Sequence, residues 1–302
     1  MNVNVKNFCR KMILCFAVLF FLPIFSACYG VLDLEPRMKS DLTVKELIRR
    51  MNHATDPRKE YLSCKSYRIR QNLSVIESGT KDLMSLEVCF QVPDKVRITT
   101  YRGERPTVVE IYNGGKAWSI DCGTGRVRVV PKGHPLELMR IYTRQATPSL
   151  DATQIFRTVE IDMDVDEKGY KTYRMICDAG VDGIAPYVYY INGQTFLQER
   201  METIQYAGLA EYLYVSVPAD YRWFGNVRLP GTSTVKIMES TRISRITAFE
   251  LNVKFPDDYF LPDSRTGRIR LPRIPEKKKK IDPASAKKKS PPAADPGKNV
   301  KK

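Results

Sequence analysis

The sequence predicts an α+β chain that is predominantly antiparallel β: one large curled sheet with helices on one side. Three observations predict it. From Met84 to Val92, apolar Met84, Leu86, Val88, Phe90 and Val92 alternate with Ser85, Glu87, Cys89 and Gln91. That period of two describes a strand with one wet face. Turn pairs recur at hairpin spacing, at Asn113-Gly114, Asp182-Gly183, Asn192-Gly193 and Ala207-Gly208, and they supply the positive φ that tight turns need. Only two stretches carry a helical period.

The first helix opens at Asp41–Glu46. Thr43 with Glu46 three residues later is a capping box. Leu47, Ile48, Met51 and Ala54 form its apolar stripe, and Pro57 stops it. A long strand is expected over Tyr61–Ile76, turned by Ser78-Gly79-Thr80 into the Met84 strand. Pro93-Asp94 ends that strand, since proline cannot donate to a ladder. Val96–Thr100, Val108–Tyr112, Ala117–Ile120 and Arg126–Val130 continue the meander. Pro135–Tyr142 is the second helix, and Thr147-Pro148 begins a linker. The second half returns to strands at Ile155–Val165, Tyr170–Cys177, Tyr187–Ile191, Thr195–Tyr206, Glu211–Val217, Val227–Met238 and Thr241–Lys254.

The net charge of +15 suggests nucleic acid until it is placed along the chain. Residues 1–28 carry +3, residues 265–302 carry +11, and the body at 29–264 is left with +1. Lys6, Arg10 and Lys11 precede the apolar run Met12–Ala27, which reads as an export signal. The tail at 265–302 is rich in Lys and Pro, with few large apolar residues, and is expected to stay disordered. Its charge suits a membrane surface or an anionic envelope polymer, and export argues against nucleic acid. The domain plan is therefore a signal at 1–28, a folded body at 29–264 and a basic tail.

Phe25-Ser26-Ala27-Cys28 resembles the lipobox of bacterial lipoproteins, which makes Cys28 the candidate lipid anchor; Phe25 stands where that pattern prefers an aliphatic residue. Cys64, Cys89, Cys122 and Cys177 remain in the body. Disulfides, with three possible connectivities, and buried free thiols are both open readings. No CxxC or Cys/His spacing points to a metal. Asp162-x-Asp164-x-Asp166 has Glu167 where a calcium loop needs glycine, so it reads as a strand with an acidic wet face. His53 and His134 lie near no nucleophile motif, and no GxSxG or HExxH occurs. No cofactor and no enzyme activity are expected. The 16 Tyr, 12 Phe and 2 Trp serve first as core, although a curled sheet can also leave an apolar cavity for a hydrophobic ligand.

A series of short motifs then falls in one order. Thr43-x-x-Glu46 is followed by Pro93-Asp94-Lys95-Val96-Arg97 and Tyr112-Asn113-Gly114-x-x-Ala117-Trp118. Later come Tyr190-Ile191-Asn192-x-x-Thr195-Phe196-Leu197 and Asp220-Tyr221-Arg222-x-x-Gly225-x-x-Leu229-Pro230. Leu251-Asn252-Val253 and Phe260-Leu261-Pro262 close the body. This order, over about residues 40–263, resembles the outer-membrane lipoprotein-sorting proteins related to the LolA/LolB carriers. The resemblance implies an unclosed β-barrel with helices covering an apolar cavity. It also implies a periplasmic carrier of the acyl chains of lipoproteins or other lipids, anchored to the outer membrane if Cys28 is acylated. The cavity candidates are Met84, Leu86, Val88, Phe90, Val96, Ile98, Tyr112 and Trp118. The alternative on the same fold is a non-enzymatic envelope sensor or scaffold tethered by the tail or a lipid anchor. One departure matters: soluble carriers of that family place an arginine directly before the strand-ending proline, and Val92 stands there. The opening-and-closing mechanism is therefore not carried over.

Overall fold

The structure, a computed structural model, describes residues 32–145, 151–207 and 210–262. The export signal, Cys28, the Thr147-Pro148 linker, the Gly208 turn and the basic tail lie outside the described residues.

Among the described residues, fourteen strands make one sheet in which every pair is antiparallel. In chain order they are β1 (Met38–Lys39), β2 (Ser66–Glu77), β3 (Thr80–Gln91), β4 (Lys95–Arg102), β5 (Arg105–Asn113), β6 (Lys116–Asp121), β7 (Arg126–Val129), β8 (Thr158–Val165), β9 (Lys171–Asp178), β10 (Tyr187–Asn192), β11 (Gln198–Ala207), β12 (Ala210–Phe224), β13 (Val227–Ile237) and β14 (Ser240–Leu251). The spatial order is β1-β8-β9-β10-β11-β12-β13-β14-β2-β3-β4-β5-β6-β7. The sheet does not close. Its edges are the very short β1 and β7, which limits the backbone left open to stray pairing.

Among the described residues, three helices accompany it: α1 (Val44–Thr55), α2 (His134–Gln145) and α3 (Ala152–Ile155). Thr43 caps α1, its hydroxyl accepting from the Glu46 N–H at 3.2 Å. The Glu46 carboxylate is held instead by Arg49 and Arg50. The predicted stripe buries Leu47, Ile48 and Met51 against Met163, Tyr173, Met175, Cys177 and Tyr189. These residues share one face of β8–β10, so the helix covers that face.

Four elements differ from expectation, each for a local reason. The strand expected from Tyr61 begins at Ser66, because the buried Asp56 carboxylate accepts from the N–H groups of Glu60 and Leu62 at 2.8 Å each and holds the intervening chain in turns. The strand expected from Thr195 begins at Gln198. There Asn192 Oδ1 accepts from Gln194 and Thr195, both at 2.9 Å, and Phe196 adopts φ +54°. Residues 152–155 are helical, capped by Asp151, and the strand follows only at Thr158. β12 does not stop at Val217 but runs on to Phe224, in unbroken register with β13. Asp220 (φ +52°) is accommodated because it lies against Gly231, where a Cβ would come within 2.7 Å of the Asp220 carbonyl.

Candidate functional site

The register sorts the two faces of the sheet. Across β14-β2-β3-β4-β5-β6, one face carries the row Leu251–Tyr67–Phe90–Val96–Tyr112–Ala117. The next row is Phe249–Ile69–Val88–Ile98–Glu110–Ser119, followed by Ile246–Gln71–Leu86–Thr100–Val108–Asp121 and Ser244–Leu73–Met84. On β8–β11 the same face carries Met163, Tyr173, Met175, Cys177, Tyr187, Tyr189 and Thr203. This face is the inner one. Helix α2 proves the curl: it packs on β5 and β6, while its Tyr142 hydroxyl accepts from Gln205 on β11 at 3.1 Å. Strands far apart in the sheet order therefore face each other beneath that helix.

Two packed clusters fill the ends of the inner face. One joins α1, α2 and α3 to β8–β10. The other holds Cys64, Tyr67, Phe90 and Val96, with Tyr67 and Phe90 stacked at 5.3 Å and Val88, Ile98 and Phe249 packed against them. Leu73, Met84, Leu86, Val108, Val235 and Ile237 lie on inner-face positions of the intervening strands. They are half-buried, and among the described residues they belong to none of the buried clusters. Each Å² that a ligand takes from water contributes about 25 cal/mol.

Seven of the eight predicted cavity residues share this face: Met84, Leu86, Val88, Phe90, Val96, Ile98 and Tyr112. The structure does not bring Trp118 to them. Trp118 pairs with Ile111 on the outer face, in a third cluster with Cys89, Val109, Ile120 and Phe260. The segment Phe255–Phe260 folds over that outer patch as a strap of aromatic rings, Phe255 stacked on Tyr259 and Phe260 edge-on to both. Arg97 belongs to the strap as well. Its Nη1 donates to the Tyr259 carbonyl at 2.9 Å, and its guanidinium lies 4.6 Å over the Tyr259 ring. Both faces of β5 and β6 are thus covered, one by α2 and one by the strap.

The inner face also holds polar groups that the sequence reading passed over. Glu110 sits between Val108 and Tyr112 on the β5 inner face. Its surroundings are apolar enough that burial alone pushes its carboxyl up to about 7. Above it lies Tyr142 of α2, hydrogen-bonded to Tyr187 and Gln205. Tyr214 of β12 is close by, its phenol pushed up to about 12 by burial. The one signal for Glu110 was a charge inside Val108–Tyr112, a run apolar at every other position.

The outer face is polar elsewhere. Arg174, fully buried, donates to Asp162 at 2.6 and 2.8 Å, to the Asp33 carbonyl and to the Glu35 carbonyl. Asp162 therefore pins the N-terminal segment to the sheet rather than standing in water. Cys64, Cys89, Cys122 and Cys177 are all free thiols, and Cys64, Cys89 and Cys177 are buried. No helix among the described residues is long and apolar enough to cross a membrane.

An unclosed antiparallel sheet curled around helices, with a partly open apolar strip inside, is the LolA-type fold. A LolA superfamily protein from Nitrosomonas europaea matches at TM-score 0.52 and 10% identity, over 72% of this chain and 97% of that one. A DUF1329 family protein from Desulfovibrio piger matches at TM-score 0.48 and 12% identity, over 71% and 94%. A domain named as outer membrane lipoprotein-sorting, from Vibrio parahaemolyticus, matches at TM-score 0.47 and 12% identity, over 71% and 94%. No family profile and no curated protein matches the sequence.

Proposed function

We propose that this chain is a non-enzymatic carrier that holds the acyl chains of lipoproteins or other lipids against the inner face of its sheet. The observation that carries the reading is the strip Leu73, Met84, Leu86, Val108, Val235 and Ile237, half-open between two packed clusters on a concave surface. Acyl chains need a dry surface in transit. Many weak apolar contacts hold them without demanding one fixed pose. The expected export signal and the lipobox-like Cys28 support a periplasmic carrier, with the body tethered to the outer membrane when the cysteine is acylated. The basic tail adds a second, electrostatic hold on the envelope.

Native mass spectrometry of the gently purified chain tests this. Bound lipid mass is expected, stripped by detergent and restored by added diacyl lipopeptide. A chain that stays empty before and after addition argues for the sensor or scaffold reading instead.

A further inference from the structure

Among the described residues, Glu110 is the one acidic residue of the inner-face rows whose carboxyl burial pushes upward, and it is half-buried, with part of its surface still open. Enclosure with residual access is the condition of a group on the wall of a hollow. Its cross-strand neighbours are Ile98 and Ser119, and its neighbours along the strand are Val108 and Tyr112. None of them is a cation. Tyr142 is the titratable group that faces it from α2. Arg140, Arg144 and Glu137 of the same helix lie towards Tyr112 instead. Arg140 is paired with Glu137, and Arg144 donates to the Gln154 carbonyl at 3.0 Å. Among the described residues, Glu110 has neither a hydrogen bond nor an ion pair.

A carboxylate enclosed without a partner is costly in the free protein, and it gains most from a ligand that supplies a positive charge with N–H donors. We propose that Glu110 is the head-group site of the inner hollow and takes the protonated amine of an amphiphile whose alkyl chain lies along Val108, Leu86 and Met84. This rests on the acyl-binding reading above. Tyr142, its phenol oxygen already held by Gln205 and Tyr187, faces the same point from α2 and walls the site on that side. A neutral hydroxyl would gain only an ordinary hydrogen bond there, and an anionic head would meet like charge.

The test uses the full chain and three single-chain amphiphiles of equal length: dodecylamine, dodecanol and laurate. Each competes with a bound apolar fluorescent dye at about pH 8. The amine is expected to displace the dye at least about tenfold more effectively than the alcohol, with laurate weakest. In Glu110→Gln the amine's advantage collapses while dodecanol binds as before. Because the substitution removes an enclosed charge, its thermal midpoint is expected to match or exceed the wild type. Lowering the pH to about 5 protonates Glu110 and erases the advantage in the same way. Equal affinity of all three for the wild type, or an amine preference that survives in Glu110→Gln, overturns the assignment. Failure of every amphiphile to bind the wild-type chain removes the acyl-binding reading, and this site with it.

Discussion

Leu86→Glu is expected to weaken acyl-chain binding by about a hundredfold or more while the chain stays folded. Leu86 is half-buried, and its cross-strand neighbours on the inner face are the polar Gln71 and Thr100. In the free protein those two and water can solvate the new carboxylate. Against a bound hydrocarbon the same carboxylate must be desolvated or must push the ligand away. Either course costs several kcal/mol, and each 1.4 kcal/mol is a tenfold change in affinity. The matched control is Val217→Glu, an exposed outer-face position on β12, where binding should not change. Titration of both variants with a fluorescent fatty acid, alongside circular dichroism, separates loss of binding from loss of fold. Equal affinity in the two variants would show that the strip does not meet the ligand.

Asp162→Ala is expected to carry the largest cost in stability, about 3–5 kcal/mol. Arg174 is 1% exposed, and Asp162 takes two of its guanidinium N–H groups. Removing one partner of a buried pair leaves an uncompensated charge, and that, more than the lost attraction, is the penalty. Asp33, at 3.7 Å, offers only partial replacement. Arg70→Ala, on the exposed pair with Glu87, should cost under about 1 kcal/mol because water screens that interaction. Urea melts of the two variants give the comparison, and similar midpoints would refute the role assigned to Asp162.

The antiparallel class, the inner-facing row on β3 and the apolar stripe of α1 were legible because each depends on local periodicity. The side on which a residue packs was harder to read wherever both sides are covered. In Val108–Tyr112 and Ala117–Ile120 apolar residues fall on both faces, so alternation could not assign Trp118. It was placed with the cavity but belongs beneath the Phe255–Phe260 strap. Asp162 looked like a solvated acidic position because its partner is Arg174, on the neighbouring strand. The strand was expected to stop at Val217 because the glycine that accommodates Asp220, Gly231, sits across the ladder. Glu110 was hidden for the same reason: Tyr142, which faces it, comes from α2, far along the chain. Information that lies along one strand could be read from the sequence, whereas information that depends on which element covers a face required the fold.

Photolabelling tests the central claim most directly. A fatty acid with a diazirine in mid-chain is bound to the full chain and irradiated, and the modified peptides are mapped. Labels are expected within β2, β3 and β13, centred on Leu73, Met84, Leu86 and Val235. Labels confined to the Phe255–Phe260 strap and the outer face, or labelling no greater than in Leu86→Glu, would contradict an acyl site inside the curl.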